Sequence, residues 1–123
     1  MTSDDFRELA LSMDGAIESA HMAHPDFRAN GRIFATLQAN EEWGMVKLLP
    51  DEQHELLRGR SKMFKPAPGA WGRAGCTMVR LDAVDAATLR GAMLLAWEHV
   101  TSQPRPRARR SRAGAKRVRT GGA

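Results

Sequence analysis

The sequence predicts an α+β fold in which helices near both ends of the chain pack on an antiparallel sheet of about five or six strands. Apolar residues recur with helical spacing near residues 4–14 and again near 86–100, whereas between residues 17 and 49 they alternate with a period of two. The dipeptide Asn30-Gly31 separates two of the alternating segments, and both residue types accept the positive φ angles of a tight hairpin turn. The strand that follows this turn therefore pairs antiparallel with the one before it.

The N-terminal half is predicted as one helix followed by paired strands. We expect Ser3 to cap the helix and Gly15 to end it, because short polar residues favour the first position and glycine favours the exit. In the strand after the hairpin turn, Ile33, Ala35 and Leu37 are predicted to share one face, since successive side chains of a strand point to opposite sides.

The second half alternates short strands with helices. Proline at position 50 and the acidic residues behind it predict a short internal helix, because both favour the first helical turn. Residues 66–75 hold three glycines and two prolines, so they are predicted to form a loop. The remaining elements are strands at residues 43–48, 63–65 and 76–81, and a long helix that starts after Asp82 or Asp85 and ends near Val100.

Charge divides the chain into two parts. Residues 1–103 carry 11 basic and 14 acidic residues, whereas the sequence from Pro104 to Ala123 carries eight basic residues and no acidic one. We therefore predict a domain at residues 1–102 and an arginine-rich, disordered tail at residues 103–123, because like charges and two prolines oppose compact structure there. The high overall isoelectric point comes from this tail.

No catalytic residue, metal site or cofactor site is predicted. His21 and His24 lie three residues apart in a segment that reads as a strand end, where such residues point to opposite faces, and no third ligand has a suitable spacing. Cys76, the only cysteine, starts a strand and is expected to be a small buried residue. With no disulfide, no leader and no apolar run long enough to span a membrane, we expect a cytoplasmic protein without membrane attachment. The expected oligomeric state is a monomer.

The tail is the strongest functional indication. Cations that meet a polyphosphate release its condensed counterions, so eight contacts with duplex phosphates would give a slope of log K against log salt of about −7. The predicted nucleic-acid-binding residues of the tail are Arg105, Arg107, Arg109, Arg110, Arg112, Lys116, Arg117 and Arg119.

The predicted loop offers a second candidate contact. It places Trp71 beside Arg73, and an aromatic plane next to a cation can engage bases and phosphates. The alternative is that Trp71 folds back onto the sheet. The sequence leaves the two possibilities equal.

Four separated motifs lie within residues 4–101: His24-Pro25 with Phe27, then Gly31 to Ala35, then Val46 to Leu48 with Pro50, and Phe64 to Arg73. In order and spacing they resemble the MmcQ/YjbR family. The resemblance implies a small α+β domain, similar to the frataxin-like fold, that is described as a double-wing DNA-binding motif. It places Arg32, Lys47 and Arg73 at positions that could touch DNA. Cys76 departs from the pattern, because family members often have Trp there.

These observations predict a non-enzymatic protein that binds nucleic acid, DNA rather than RNA, largely without sequence preference. The domain would supply shape and the tail most of the affinity. The alternative is a module that binds a protein or a small ligand on its sheet face, with the tail incidental.

Overall fold

The computed structural model describes residues 1–21, 24–38, 40 and 42–104, and within them it confirms the predicted α+β fold. Over these residues no helix has both the length and the apolar character needed to cross a membrane. The predicted tail lies outside the described residues from position 105 onward. The elements in chain order are α1 (Ser3–Leu11), β1 (Ile17–His21), β2 (His24–Ala29), β3 (Arg32–Leu37), β4 (Trp43–Lys47), α2 (Pro50–Leu57), β5 (Phe64–Pro66), α3 (Gly69–Arg73), β6 (Cys76–Arg80) and α4 (Ala86–Thr101).

The six strands form one antiparallel sheet in the order β1-β2-β3-β4-β6-β5. Helices α1 and α4 pack on one face of it, and the core fills the space between. Phe6 of α1 and Phe27 of β2 are fully buried there, with ring centroids 6.0 Å apart. Gly44 in β4 allows the close approach of α1, because a Cβ at this position would lie 2.4 Å from Cε2 of Phe6.

The first helix begins one residue earlier than predicted. Thr2, not Ser3, is its N-cap: the Thr2 hydroxyl accepts a hydrogen bond from the Asp5 amide, and the Asp5 carboxylate accepts one from the Thr2 amide. This reciprocal capping box needs the capping residue three positions before the carboxylate, which selects Thr2. The helix ends at Leu11, and Gly15 (φ +74°) belongs to the turn that leads into β1.

The predicted hairpin turn is confirmed, but the prediction that Ile33, Ala35 and Leu37 share one face of the next strand is wrong. Asn30 (φ 55°) and Gly31 (φ 74°) both adopt left-handed conformations between β2 and β3. Phe27 pairs with Ala35 and Arg28 pairs with Ile33, so Phe34 is an extra residue that forms a bulge. The bulge reverses the alternation, which puts Ile33 on the sheet face opposite to Ala35 and Leu37.

The segment predicted as a loop contains a short helix, α3. The glycine content indicated a loop, but two of the glycines have other roles. One allows a close approach between two backbone segments, and the other ends the helix. A Cβ on Gly72 would lie 1.9 Å from the Ala67 carbonyl oxygen, so only glycine lets α3 fold against the strand end before it. Gly75 (φ +112°) then ends the helix and directs the chain into β6.

Candidate functional site

The sheet face opposite α1 and α4 carries the candidate site. Strand β4 shows how the sequence builds it: Val46 points into the core, whereas its neighbours Met45 and Lys47 point to the open face. Across the ladder Met45 pairs with Met78 and Lys47 pairs with Cys76. The open face therefore presents thioether and aliphatic side chains with a lysine at one end.

An apolar groove of about 470 Å³ lies on this face. Its floor comes from the central strands and its rim from the segment that holds α3. Pockets of this size are typical of small-ligand sites. The lining residues are His21, His24, Ile33, Thr36, Gln38, Met45, Lys47, Ala67, Pro68, Trp71, Cys76 and Met78.

A second groove, of about 620 Å³, adjoins the first and is cationic. The two share Ile33, Lys47, Trp71 and Cys76, so they form one continuous surface. None of the described residues that line either groove is acidic. The lining residues of this cationic groove are Arg28, Gly31, Arg32, Ile33, Lys47, Leu48, Leu49, Trp71, Ala74, Cys76, His99, Val100 and Gln103.

Trp71 stands at the border of the two grooves and is 66% exposed. The helix that carries it is held from below by the buried amide of Gln53 in α2, whose Nε2 donates to the Gly72 carbonyl oxygen at 3.1 Å and to the Cys76 carbonyl oxygen at 3.0 Å. Of the two possibilities for Trp71, the structure favours the exposed one, since its ring borders the grooves without being covered.

The end of the described chain is fixed beside the cationic groove. Nη2 of Arg32 donates to the Pro104 carbonyl oxygen at 3.2 Å. From the hairpin turn, Nδ2 of Asn30 donates to the carbonyl oxygens of Val100 and Gln103 at 2.9 and 2.8 Å. Two positions of the β2–β3 hairpin thus bind the last turn of α4 and the residues after it, so Pro104 lies next to the groove.

A buried carboxylate organises the outer part of the open face. Asp26 is 0% exposed; its two oxygens accept hydrogen bonds from Nε and Nη2 of Arg28 at 2.8 and 3.1 Å, and Oδ2 lies 2.7 Å from Nδ1 of His21. The bonds from Arg28 outweigh the cost of burial and, with His21, hold the pKa of Asp26 below its ordinary value. The carboxylate is therefore ionised at neutral pH, and the charge of Arg28 balances it.

Cys76 does not have the environment of a nucleophile. It is buried, and burial raises the pKa of its thiol, while the charge of Lys47 acts more weakly in the opposite direction. Reactive cysteines need a lowered pKa, because the thiolate is the attacking species. Its position in the shared wall of the grooves is that of a small apolar residue, as predicted.

A second aromatic and cationic cluster lies near the other end of β4. Nζ of Lys65 lies 4.4 Å from the centre of the Trp43 ring, and the guanidinium carbon of Arg80 lies 5.8 Å from it. Because Trp43 and Arg80 are cross-strand partners, sheet register sets this geometry. The ring is already occupied by cations, which distinguishes it from the open ring of Trp71.

The two histidines of the predicted strand end lie on the same face, against the prediction. His21 and His24 are cross-strand partners, with ring centroids 6.3 Å apart, because β1 and β2 pair antiparallel. Nδ1 of His21 faces Asp26, whereas Nδ1 of His24 is buried and has no hydrogen-bond partner among the described residues. Across the described residues, His, Cys, Asp and Glu side chains form no group of three or more that could hold a metal ion.

The structure brings together three of the four predicted contact residues of the domain: Arg32, Lys47 and Trp71 line the cationic groove. Arg73 is exposed on α3, outside both groove linings. The predicted tail contacts lie outside the described residues: Arg105, Arg107, Arg109, Arg110, Arg112, Lys116, Arg117 and Arg119. The expected monomer and cytoplasmic location stay predictions.

Sequence reasoning missed Arg28 and His99. Asp26 and Arg28 are two residues apart in one strand and therefore share a face. The sequence could have indicated an ion pair between them on that ground. His99 borders the groove, with Nε2 3.3 Å from Nε2 of Gln103, and only the placement of α4 against the hairpin reveals this.

The fold and the site define a class: a small α+β domain with helices α1 and α4 on one sheet face and an apolar groove on the other, continued past Trp71 by a cationic groove that reaches the end of α4. The family model YjbR matches residues 11–99, and the chain belongs to the YjbR family. The crystal structure of Deinococcus radiodurans protein DR2400, described by the family-model domain DUF419, is similar with a TM-score of 0.70, at 20% sequence identity over 83% of this chain and 80% of that chain. At that identity the likeness shows the fold alone. A search of curated proteins found no match.

Proposed function

We propose that this protein binds nucleic acid without catalysing a reaction, through the cationic groove together with the arginine-rich sequence that follows Pro104. One observation carries the proposal. Arg32 and Lys47 border the same groove as Trp71, and Arg32 is hydrogen-bonded to the carbonyl oxygen of Pro104, the residue from which the eight-cation segment continues. A phosphate backbone lying in the groove would therefore meet cations of both parts.

Electrostatics supports a polyanionic partner. The cationic groove presents two arginines, a lysine and a histidine, and its lining contains no acidic residue among those described. The nearest buried carboxylate, that of Asp26, is already satisfied by Arg28 and His21. Phosphate contacts of this kind position a nucleic acid without reading its sequence, so little sequence preference is expected. DNA is the favoured partner because the family resemblance points to it.

The test measures binding of labelled duplex and single-stranded DNA of about 20 nucleotides between about 50 and 200 mM salt. We expect the variant lacking residues 105–123 to lose about seven from the magnitude of the duplex slope, and the full-chain double variant Arg32→Gln/Lys47→Gln to lose about two. The matched control is Arg58→Gln/Arg90→Gln, which removes two exposed arginines, at the end of α2 and within α4, that lie outside both grooves. It should leave the slope unchanged.

Two outcomes would contradict the proposal. One is absence of binding to either DNA at about 50 mM salt. The other is an equal effect of the groove variant and the control variant, which would mean that the groove is not the contact surface. The alternative, a protein-binding or small-ligand module, predicts that removal of residues 105–123 leaves the partner profile unchanged.

A further inference from the structure

The two grooves meet in a way that matches the shape of a nucleotide. One side of their border is apolar, with Met45, Met78 and Ile33 on the sheet, and the other side is cationic. Trp71 and Lys47 belong to both. A base has an apolar face and a phosphate is anionic, so a nucleotide lying across this border would place each part against the surface of matching chemistry.

The apolar groove also has polar side chains in its lining, among them Thr36, Gln38 and His24. The edges of nucleobases carry both donors and acceptors.

Duplex DNA cannot use this groove in the same manner, because its bases are stacked and paired inside the helix. Proteins that contact single strands instead place aromatic side chains on an exposed surface, where unpaired bases stack on them. The ring of Trp71 has this exposure, whereas that of Trp43 is covered by Lys65 and Arg80.

We propose that the apolar groove receives one unstacked base of a single-stranded nucleic acid, which stacks on Trp71 while Lys47 and Arg32 bind the adjoining phosphates. This inference rests on the proposed function and adds to it a preference for single strands with bases over the bare backbone.

The test compares two labelled oligonucleotides of equal length and charge, an oligodeoxythymidine of about ten residues and the same chain with abasic sites throughout. For the full chain we expect about tenfold tighter binding of the strand with bases, within the fivefold to 150-fold range that stacking of one base supports. Trp71→Ala should bind the two strands equally, with its affinity for the abasic strand unchanged. Trp71→Phe should retain most of the preference for the strand with bases. Because Trp71 is two-thirds exposed, neither change should alter the melting temperature much.

Two further variants separate the base from the phosphate. Met78→Glu puts a negative charge on the groove floor and should lower affinity for the strand with bases more than for the abasic strand. Arg32→Gln should lower both affinities by the same factor.

Failure of this inference can be told apart from failure of the proposed function. Equal binding of both oligonucleotides by the full chain, or an equal loss of both in Trp71→Ala, overturns the base site and leaves nucleic-acid binding standing. Absence of binding to both oligonucleotides and to duplex at about 50 mM salt overturns both proposals.

Discussion

Asp26→Asn tests whether the buried carboxylate holds the open face together. The substitution keeps the shape of the side chain and removes its charge. The amide oxygen can still accept from Nε of Arg28, but the amide NH₂ group then meets Nη2 of Arg28, which is also a donor. Of the three polar contacts at 2.7 to 3.1 Å, at least one is lost and the others lose their ionised acceptor.

The expected loss in the free energy of unfolding is about 2 kcal/mol. Removing one member of a fully buried ion pair costs about 3–5 kcal/mol. Here the carboxylate is 0% exposed, but the side chains of Arg28 and His21 are 35% and 45% exposed, so both partners can turn to water and recover part of the loss. For a domain of this size, about 2 kcal/mol lowers the melting temperature by roughly 10 °C.

The pH dependence of this difference has a definite sign. The pKa of Asp26 in the folded protein lies below the ordinary value of 3.8, so its contribution to stability is complete above about pH 4 and is lost as the pH falls through the folded-state pKa. Asparagine does not titrate. The difference in stability between the wild-type protein and Asp26→Asn should therefore shrink below about pH 4.

Urea denaturation of both proteins at several pH values between about 7 and 2.5 measures this difference. Arg28→Met serves as the control that removes the partner and keeps the aliphatic stem. A difference that stays constant down to about pH 2.5, or an Asn variant as stable as the wild type at pH 7, would refute the account of Asp26 as a charged and partnered group.

Two further predictions concern the scaffold that positions the site. Gly44→Ala should destabilise the protein by about 1–3 kcal/mol, because its Cβ would overlap the ring of Phe6. The matched control is Gly91→Ala in the middle of α4, where a Cβ meets nothing within 4 Å. It should stabilise the protein by about 0.5–1 kcal/mol in urea denaturation. Changes of the same sign in the free energy of unfolding of the two variants would contradict this reasoning. Asn30→Ala should cost about 2–3 kcal/mol, since it loses two hydrogen bonds and leaves alanine at a left-handed φ of 55°. Asn30→Gly should recover the part of this loss that comes from the left-handed backbone. If the glycine variant is no more stable than the alanine variant in thermal unfolding, the turn is not strained in the alanine variant.

Local signals predicted most of the fold. The pair Asn30-Gly31 predicted a turn, because the geometry of a tight hairpin turn depends mainly on its two central residues. Pro50 and the acidic residues after it predicted α2, because a helix start also depends on the residues at that position. The bulge at Phe34 left no comparable signal. Its cause is the pairing of β3 with β2, which a single strand does not reveal.

Glycine was the residue type whose role the sequence concealed. Gly72 and Gly75 both indicated a loop, yet each is required by contacts with other parts of the chain: the Ala67 carbonyl oxygen in one case, the Leu48 carbonyl oxygen in the other. A close approach of two backbones depends on tertiary structure. The composition of a ten-residue window therefore could not distinguish a flexible loop from a short, tightly packed helix.

Three residues that line the cationic groove could be selected from the sequence, but the groove as a surface could not. Arg32, Lys47 and Trp71 were selected from separate motifs, and what unites them is the antiparallel order of the sheet, which brings β3, β4 and α3 to one border. Arg28 and His99 complete the same groove from β2 and α4.

The acidic residues of α1 oppose a phosphate ligand only weakly, because they lie on the sheet face opposite the apolar groove. Helix α1 holds three acidic residues and one arginine, whereas the six strands hold five basic and two acidic residues. Both acidic residues of the strands are paired, Glu18 with Arg7 at 3.0 Å and Asp26 with Arg28 at 2.8 Å. Packed layers lie about 10 Å apart, and at physiological ionic strength charges are screened over about 8 Å. A phosphate on the open face therefore interacts mainly with the cations of the grooves. At about 0.01 M salt the screening length grows to about 30 Å, and the acidic residues of α1 would then weaken the same contact.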